Sequence, residues 1–237
     1  MKILVLIISS NGFPYDEYKQ LWREYMNLDD EIDSYFIESK DVETSCIEDD
    51  IIYIKGVESY EKIFYKTQEA LKLFDLKTYD YIFRTNLSSF IVFSKYKQWL
   101  KTLSKENVYN GSICWYTRYI YASGCGFTIT PDVAQMIIDY DEESQLSKFI
   151  DDVTIGKICM MNNVKITSAP LNCIFPNTFQ YETNQFDEYE CAFHFRTKMG
   201  GDRKEDVKLF KELLEMYYPI PLNLLSSNLK KIELHNS

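Results

Sequence analysis

Residues 79–93 read Tyr79-Asp80-Tyr81-Ile82-Phe83-Arg84-Thr85-Asn86-Leu87-Ser88-Ser89-Phe90-Ile91-Val92-Phe93. An apolar run breaks into a polar cluster, and a second apolar run follows. Both runs are rich in β-branched and aromatic side chains, the composition of buried strand rather than surface helix. A polar cluster at the end of a buried strand lies where an open α/β sheet presents side chains to a ligand. The plain alternative is a strand and turn whose Thr, Asn and Ser side chains serve local hydrogen bonds.

Upstream, residues 2–8 predict a first buried strand, ending in Ser9-Ser10-Asn11-Gly12. Pro14, Asp16 and Glu17 open a helix to about residue 27, with Pro in the first turn and acid at the positive end of the dipole. Residues 33–38 and 51–55 predict strands. Ser59 caps a helix over 60–74, on which Ile63, Phe64, Thr67, Ala70, Leu71 and Phe74 share one mostly apolar face.

Downstream, Ser94 caps a helix through 103, and residues 112–116 and 121–129 predict strands joined by a turn. Thr130-Pro131-Asp132 starts a helix to about 140, and 139–147 is an acidic loop. Asp151-Asp152 opens a helix to about 162, and 164–169 is a strand before Pro170. Residues 172–190 lack periodicity and predict loop, and 192–196 a short strand. Asp202 and Glu205 have capping-box spacing before a last helix, on which Val207, Phe210, Leu214 and Tyr217 share a face and which Pro219 and Pro221 stop. Alternating strands and helices predict an α/β fold. The later strands follow one another too closely for simple βα units, so the second half of the sheet is expected to be mixed. One domain over 1–218 and a tail over 219–237 are expected.

The chain has 237 residues, 46% of them apolar, enough for a full core. Its 19 Tyr and 15 Phe supply bulky core, and some of the Tyr suit stacking on a sugar or base. The net charge is −10 and no basic stripe is visible, so nucleic acid is not an expected partner. A phosphate-bearing ligand then needs locally placed cations or a metal. Cysteines 46, 114, 125, 159, 173 and 191 show no C-x-x-C pair, which argues against a zinc site. They read as reduced thiols of a cytoplasmic protein. No apolar run reaches the length of a membrane span, and residues 1–8 are too short for a secretory leader.

Three segments in order resemble the GT-A glycosyltransferases, in particular the β1,3-galactosyltransferase and Fringe-like enzymes. The first is residues 81–90, where those enzymes have a strand ending in Arg-Thr followed by an acidic DxD cluster. The second, Ala122-Ser123-Gly124-Cys125-Gly126-Phe127-Thr128-Ile129-Thr130-Pro131-Asp132, is similar to their small-residue strand beside the acceptor site. The third, Asp151-Asp152-Val153-Thr154-Ile155-Gly156, resembles their Glu-Asp-Val motif. The Arg-Thr-Asn-Leu-Ser-Ser form also resembles glycosyltransferase-like proteins of large DNA viruses, for which the host cytoplasm is the expected location. The resemblance implies a GT-A (Rossmann-like) mixed sheet flanked by helices. It also implies a soluble enzyme that moves a sugar, with inversion, from a UDP-linked nucleotide-sugar donor to a hydroxyl of a glycan or glycoprotein acceptor.

One departure bears on the cofactor. In the family the DxD carboxylates hold Mn²⁺ or Mg²⁺, which bridges the donor diphosphate. The matching residues here are Asn86, Leu87 and Ser88, none of them anionic. Hard divalent cations bind best to carboxylate oxygen, so a divalent cation is in question, and His194 with the donor phosphates is its expected holder.

Sugar transfer needs a base for the acceptor proton and positive charge or donors for the leaving diphosphate. By match to the family motif Asp152 is the expected base, with Asp151 its substitute; the alternative is that both cap a helix. Ser9, Ser10 and Asn11 lie where the family binds the nucleoside, and Thr85, Asn86 and Ser88 near the ribose or diphosphate. Arg84 pairs with phosphate or with a buried carboxylate such as Asp80. In His194-Phe195-Arg196-Thr197-Lys198, alternation puts His194, Arg196 and Lys198 on one face, where Arg196 and Lys198 suit phosphate; the alternative is a solvated edge strand. Trp115 and Tyr116 are expected as an acceptor-stacking wall or as core, with Gly124 beside the acceptor. Two rivals remain: a binding or structural protein on a catalytically decayed form of the fold, and a nucleotidyltransferase, which the lack of a glycine-rich loop after the first strand disfavours.

Overall fold

Six consecutive apolar residues form β1 (Ile3–Ile8), buried on both faces as a central parallel strand requires. The computed structural model describes residues 1–141, 150–173, 193–198 and 201–219. After β1 come α1 (Tyr15–Arg23), β2 (Ile32–Lys40), β3 (Cys46–Glu48), β4 (Ile51–Lys55) and α2 (Ile63–Leu71). The segment 79–93 supplies β5 (Tyr81–Asn86), β6 (Ser89–Ile91) and the start of α3 (Phe93–Leu100). Then follow β7 (Tyr109–Tyr116), β8 (Tyr119–Ile129), α4 (Pro131–Ile138), α5 (Asp151–Met161), β9 (Ile166–Ser168), β10 (Asn172–Cys173), β11 (His194–Arg196) and α6 (Arg203–Tyr217).

The main sheet has the strand order β3-β4-β2-β1-β5-β8-β7-β9. β1 pairs in parallel with both β2 and β5, so the chain leaves β1 in one direction and returns to its other side. That reversal opens a crevice at the carboxyl ends of β1 and β5, where Ile8 and Asn86 are in register. β8 runs antiparallel to β5 and to β7, which makes the second half of the sheet mixed, as the close strand spacing predicts. A small second sheet, β10-β11-β6, holds Arg196 opposite Ser89 and His194 opposite Ile91.

Alternation along β1 divides the core between two faces. Ile3, Val5 and Ile7 join an aromatic layer with Trp22, Tyr25, Phe90, Phe93 and Phe210. There Trp22 stacks on Tyr25 at 5.0 Å, and Phe90 meets Phe210 edge-on at 5.2 Å. Leu4 and Leu6 face Ile82, Phe127 and Ile129 and residues of α2, α4 and α5 on the other side. Much of the aromatic content is therefore core. No described helix is long and apolar enough to cross a membrane.

Several boundaries differ from the sequence reading. α1 ends at Arg23 rather than near residue 27. The expected helix over 60–74 begins as a 3-10 turn, Tyr60–Lys62, capped by Ser59, and α2 follows. Ser94 does not cap α3, because Phe93 is already helical and Val92 stands at the cap position. β3 is a short half-polar edge strand without a hydrophobic signal. The loop expectations over 142–149 and 174–190, and the tail beyond 219, lie outside the described residues.

Candidate functional site

A cavity of about 620 Å³ opens at the crevice between β1 and β5. Ser9 and Ser10 line it from the end of β1, and Arg84, Asn86 and Ser88 from β5 and the following turn. Gly124 of β8 and Asp151 and Asp152 of α5 form a second wall, and Arg196, Lys198 and Arg203 a third.

Gly124 joins the carboxylates to β5. Its N–H donates to Asp152 Oδ2 at 3.0 Å. Its carbonyl accepts from Arg84 Nη1 at 2.7 Å and from Asn86 Nδ2 at 3.1 Å. A Cβ at Gly124 would stand 3.2 Å from Asp152 Oδ2 and 3.3 Å from Arg84 Nη1, so only glycine leaves both groups where they are. The side chain of Arg84, 3% exposed, ion-pairs with Asp151. The sequence suggestion of Asp80 as partner is thereby corrected: Asp80 lies at the far end of β5, accepting from Lys2 N and from Lys105 Nζ at 2.8 and 2.9 Å.

Neither Asp151 nor Asp152 caps α5. Ile150 occupies the cap position, and both carboxylates stand in the first helical turn, where the dipole favours negative charge. Asp152 Oδ1 accepts from Val153 N–H at 3.0 Å. Asp152 therefore faces the cavity held by two backbone donors, while Asp151 is neutralised by Arg84.

Thr85 is fully buried and turns away from the cavity. Its hydroxyl donates to Cys125 O at 2.6 Å, and Ser89 Oγ donates to the same carbonyl at 2.9 Å. These two residues tie β5 and β6 to β8, the local role that the polar cluster also allowed. Asn86 is the pivot of the site. Its carbonyl oxygen accepts from Arg196 and, at 3.3 Å, from Ser88 Oγ.

Lys198 makes no ion pair with any described residue. Partial burial, then the nearby Arg203 and Arg196, push its ammonium below the usual lysine range. Arg203, in the first turn of α6, pairs with the buried Asp206 at 2.8 Å.

The β1 end of the cavity rests on buried charges that sequence reasoning missed. Ser9 Oγ donates to Glu38 Oε1 at 2.9 Å, and the buried Lys19 pairs with that same oxygen at 2.6 Å. Lys66 Nζ, fully buried, donates to Ser9 O at 2.9 Å and to Glu58 at 2.8 Å. Burial pushes the Lys66 ammonium down from its ordinary value. Glu58, Tyr15, Tyr18 and Arg203 also line the cavity. Arg203 had a signal, since Arg196, Lys198 and Arg203 form a basic cluster in an acidic chain; Glu58 and Lys66 had none.

Besides Thr85, four sequence candidates fall outside the wall. Asn11 is exposed and accepts from Lys19 Nζ at 3.1 Å. Trp115 and Tyr116 end the β7–β8 hairpin, 73% and 54% exposed, in neither the cavity nor the core. His194 is 2% exposed and lies in the core, edge-on to Phe83 at 5.8 Å. Burial, then the charge of Arg196, push its imidazole down to about 3. Among the described residues no group of three or more His, Cys, Asp or Glu is placed to hold a metal ion.

No family model matches the chain, and no curated protein sequence matches it. Among solved structures, a glycosyltransferase involved in the glycosylation of the major capsid of PBCV-1 is similar over 90% of this chain and 100% of its own, with a TM-score of 0.50 and 13% identity. The 4-diphosphocytidyl-2C-methyl-D-erythritolsynthase of Anaerococcus prevotii DSM 20548 covers 90% of this chain and 96% of its own, with a TM-score of 0.47 and 14% identity. At 13% identity the fold is what the first of these shares with this chain. The chain has a distant GT-A-like fold, an eight-stranded mixed sheet flanked by helices with its crevice between β1 and β5.

Proposed function

We propose that this protein is a glycosyltransferase that moves a sugar, with inversion, from a UDP-linked donor to a hydroxyl of a glycan or glycoprotein acceptor. The observation that carries this reading is a single cavity in which a carboxylate and a cationic wall meet through Asn86. The amide nitrogen of Asn86 points to Gly124, which holds Asp152, and its amide oxygen accepts from Arg196. In the proposed reaction Asp152 takes the proton of the acceptor hydroxyl as its oxygen attacks the anomeric carbon. The bond from that carbon to the diphosphate breaks, and the nucleoside diphosphate leaves toward Arg196 and Lys198. Arg84 and Asp151 neutralise one another beneath the site and position Gly124. Tyr15 and Tyr60, which both line the cavity, offer flat apolar surface for a base.

A second reading, donor binding without turnover, draws on the neutral Asn86, Leu87 and Ser88. One experiment separates the two. The full chain is assayed for nucleoside diphosphate release from a panel of nucleotide sugars with glycan acceptors. Asp152→Asn is assayed beside it, and donor binding by both is followed by thermal shift. Transfer is expected to fall by about 10²- to 10⁴-fold in the variant with donor binding retained. Wild-type rates in Asp152→Asn would remove Asp152 as the base. Binding without turnover by the wild type favours the second reading, and absence of any nucleotide-induced stabilisation would sink both.

A further inference from the structure

We propose that the donor diphosphate is held by protein cations, Arg196 with Lys198 and Arg203, in the place where GT-A enzymes of the DxD type use a divalent metal ion; this rests on the donor reading above.

The donor set does not suit a hard cation. Asn86 offers one neutral side-chain oxygen, and that oxygen already accepts from Arg196, from Ser88 Oγ at 3.3 Å and from Ser89 Oγ at 3.4 Å. Leu87 is apolar and buried. Of the nearby carboxylates, Asp151 is neutralised by Arg84, which leaves Asp152, the proposed base, as a single anionic donor where a hard cation takes several. A metal at Asn86 would meet a guanidinium rather than anionic oxygen.

The guanidinium is fixed there by the backbone. Arg196 is in register with Ser89 across the antiparallel β11–β6 pair. One residue on, Thr197 N–H and Thr197 Oγ1 both donate to Ser88 O at 3.0 Å. Tyr18 and Thr197 hydroxyls meet at 3.2 Å and close the back of this corner. Arg196 is thus built onto the 86–89 turn.

The neutrality of Asn86 then has a physical reason. An Asp at that position would ion-pair with Arg196 and cancel its charge. An amide oxygen orients the guanidinium through one hydrogen bond and leaves the charge for a ligand. Among the described residues, Asp206 on Arg203 is the carboxylate that pairs within this trio, and Arg196 and Lys198 keep two positive charges for a ligand. The three crowd one another, which is why Arg203 and Arg196 help to depress the Lys198 ammonium. A diphosphate between them relieves that repulsion and gains charge-assisted hydrogen bonds.

The test is isothermal titration calorimetry of the full chain with UDP and with GDP, in excess EDTA and in Mn²⁺, on the wild type, Arg196→Ala and Asn86→Asp. The wild type is expected to bind with the same Kd, within about twofold, with and without metal. Arg196→Ala is expected to weaken binding roughly 10- to 100-fold in both conditions. Asn86→Asp retains Arg196 and nearly the same volume, so it keeps the test sharp if Arg196→Ala does not fold; it is expected to weaken metal-free binding about tenfold or more. Binding that requires Mn²⁺ and is unchanged in both variants overturns the proposal while leaving the donor reading intact. No binding of either nucleotide in any condition overturns the donor reading and this inference with it.

Discussion

His194 and Arg196 share one face of a three-residue strand, yet one is core and the other lines the cavity. The strand crosses from the core to the cavity rim within that length, so strand alternation grouped the two correctly by face but could not give their depth. The depth of His194 has a consequence for pH. Its imidazole is held down to about 3 by burial, then by Arg196, against about 6.5 in the unfolded chain. Between those values the unfolded state binds the extra proton, so the contribution is complete above about 6.5 and is lost as pH falls toward 3. From pH 7 to pH 5 this amounts to about 2 kcal/mol. Urea unfolding at the two pH values should show wild-type stability falling by that much more than the stability of His194→Gln. Equal losses in both proteins would mean that His194 takes up a proton in the native state.

α5 is the element on which the proposed base depends, and one glycine sets its seat. A Cβ on Gly156 would lie 2.5 Å from Tyr121 Cβ and 2.7 Å from Ile120 O, the second a backbone atom that cannot step aside. Gly156→Ala gains about 1 kcal/mol of helix propensity but forces α5 off β8. The net expectation is a loss of about 1–3 kcal/mol in urea unfolding and slower transfer, because Asp152 stands one turn upstream and its partner Gly124 is on β8. Stability at or above wild type would show that the helix tilts without penalty. The same element shows what was legible. Asp151 and Asp152 at a helix start were readable from the sequence, as were the apolar runs of β1, β5 and β8. The cap role was not, because Ile150 holds the cap position with no side-chain hydrogen bond. β6 and β11 also escaped a correct pairing, since three residues carry no usable period and their partnership spans about a hundred positions.

The whole molecule places its ligand where the chain reverses around β1, and that placement makes the site hard to read from sequence. Glu58, Arg84, Asp152 and Arg203 come from four separate parts of the chain and meet only because β1 is flanked by β2 and β5. Arg84 and Asp152 were found through motifs, whereas Glu58 depends on the buried Lys66, a contact that no spacing announces. Charge is also arranged at this scale. The chain carries −10 overall, while the cavity gathers Arg196, Lys198 and Arg203. A nucleotide approaching from afar therefore meets net repulsion, and only within the cavity does it meet attraction. At about 0.01 M salt the screening length is roughly 30 Å and the approaching anion feels the whole protein; at about 0.1 M it is roughly 10 Å and the anion feels mainly the cavity cations. Stopped-flow association of UDP should therefore quicken, by up to a few-fold, as salt rises through that range, the reverse of a binder whose whole surface is basic. Dissociation should change less, since contacts inside the cavity are short and partly desolvated. An association rate that falls with added salt would mean that the three cations reach beyond the cavity mouth and dominate the field around the molecule.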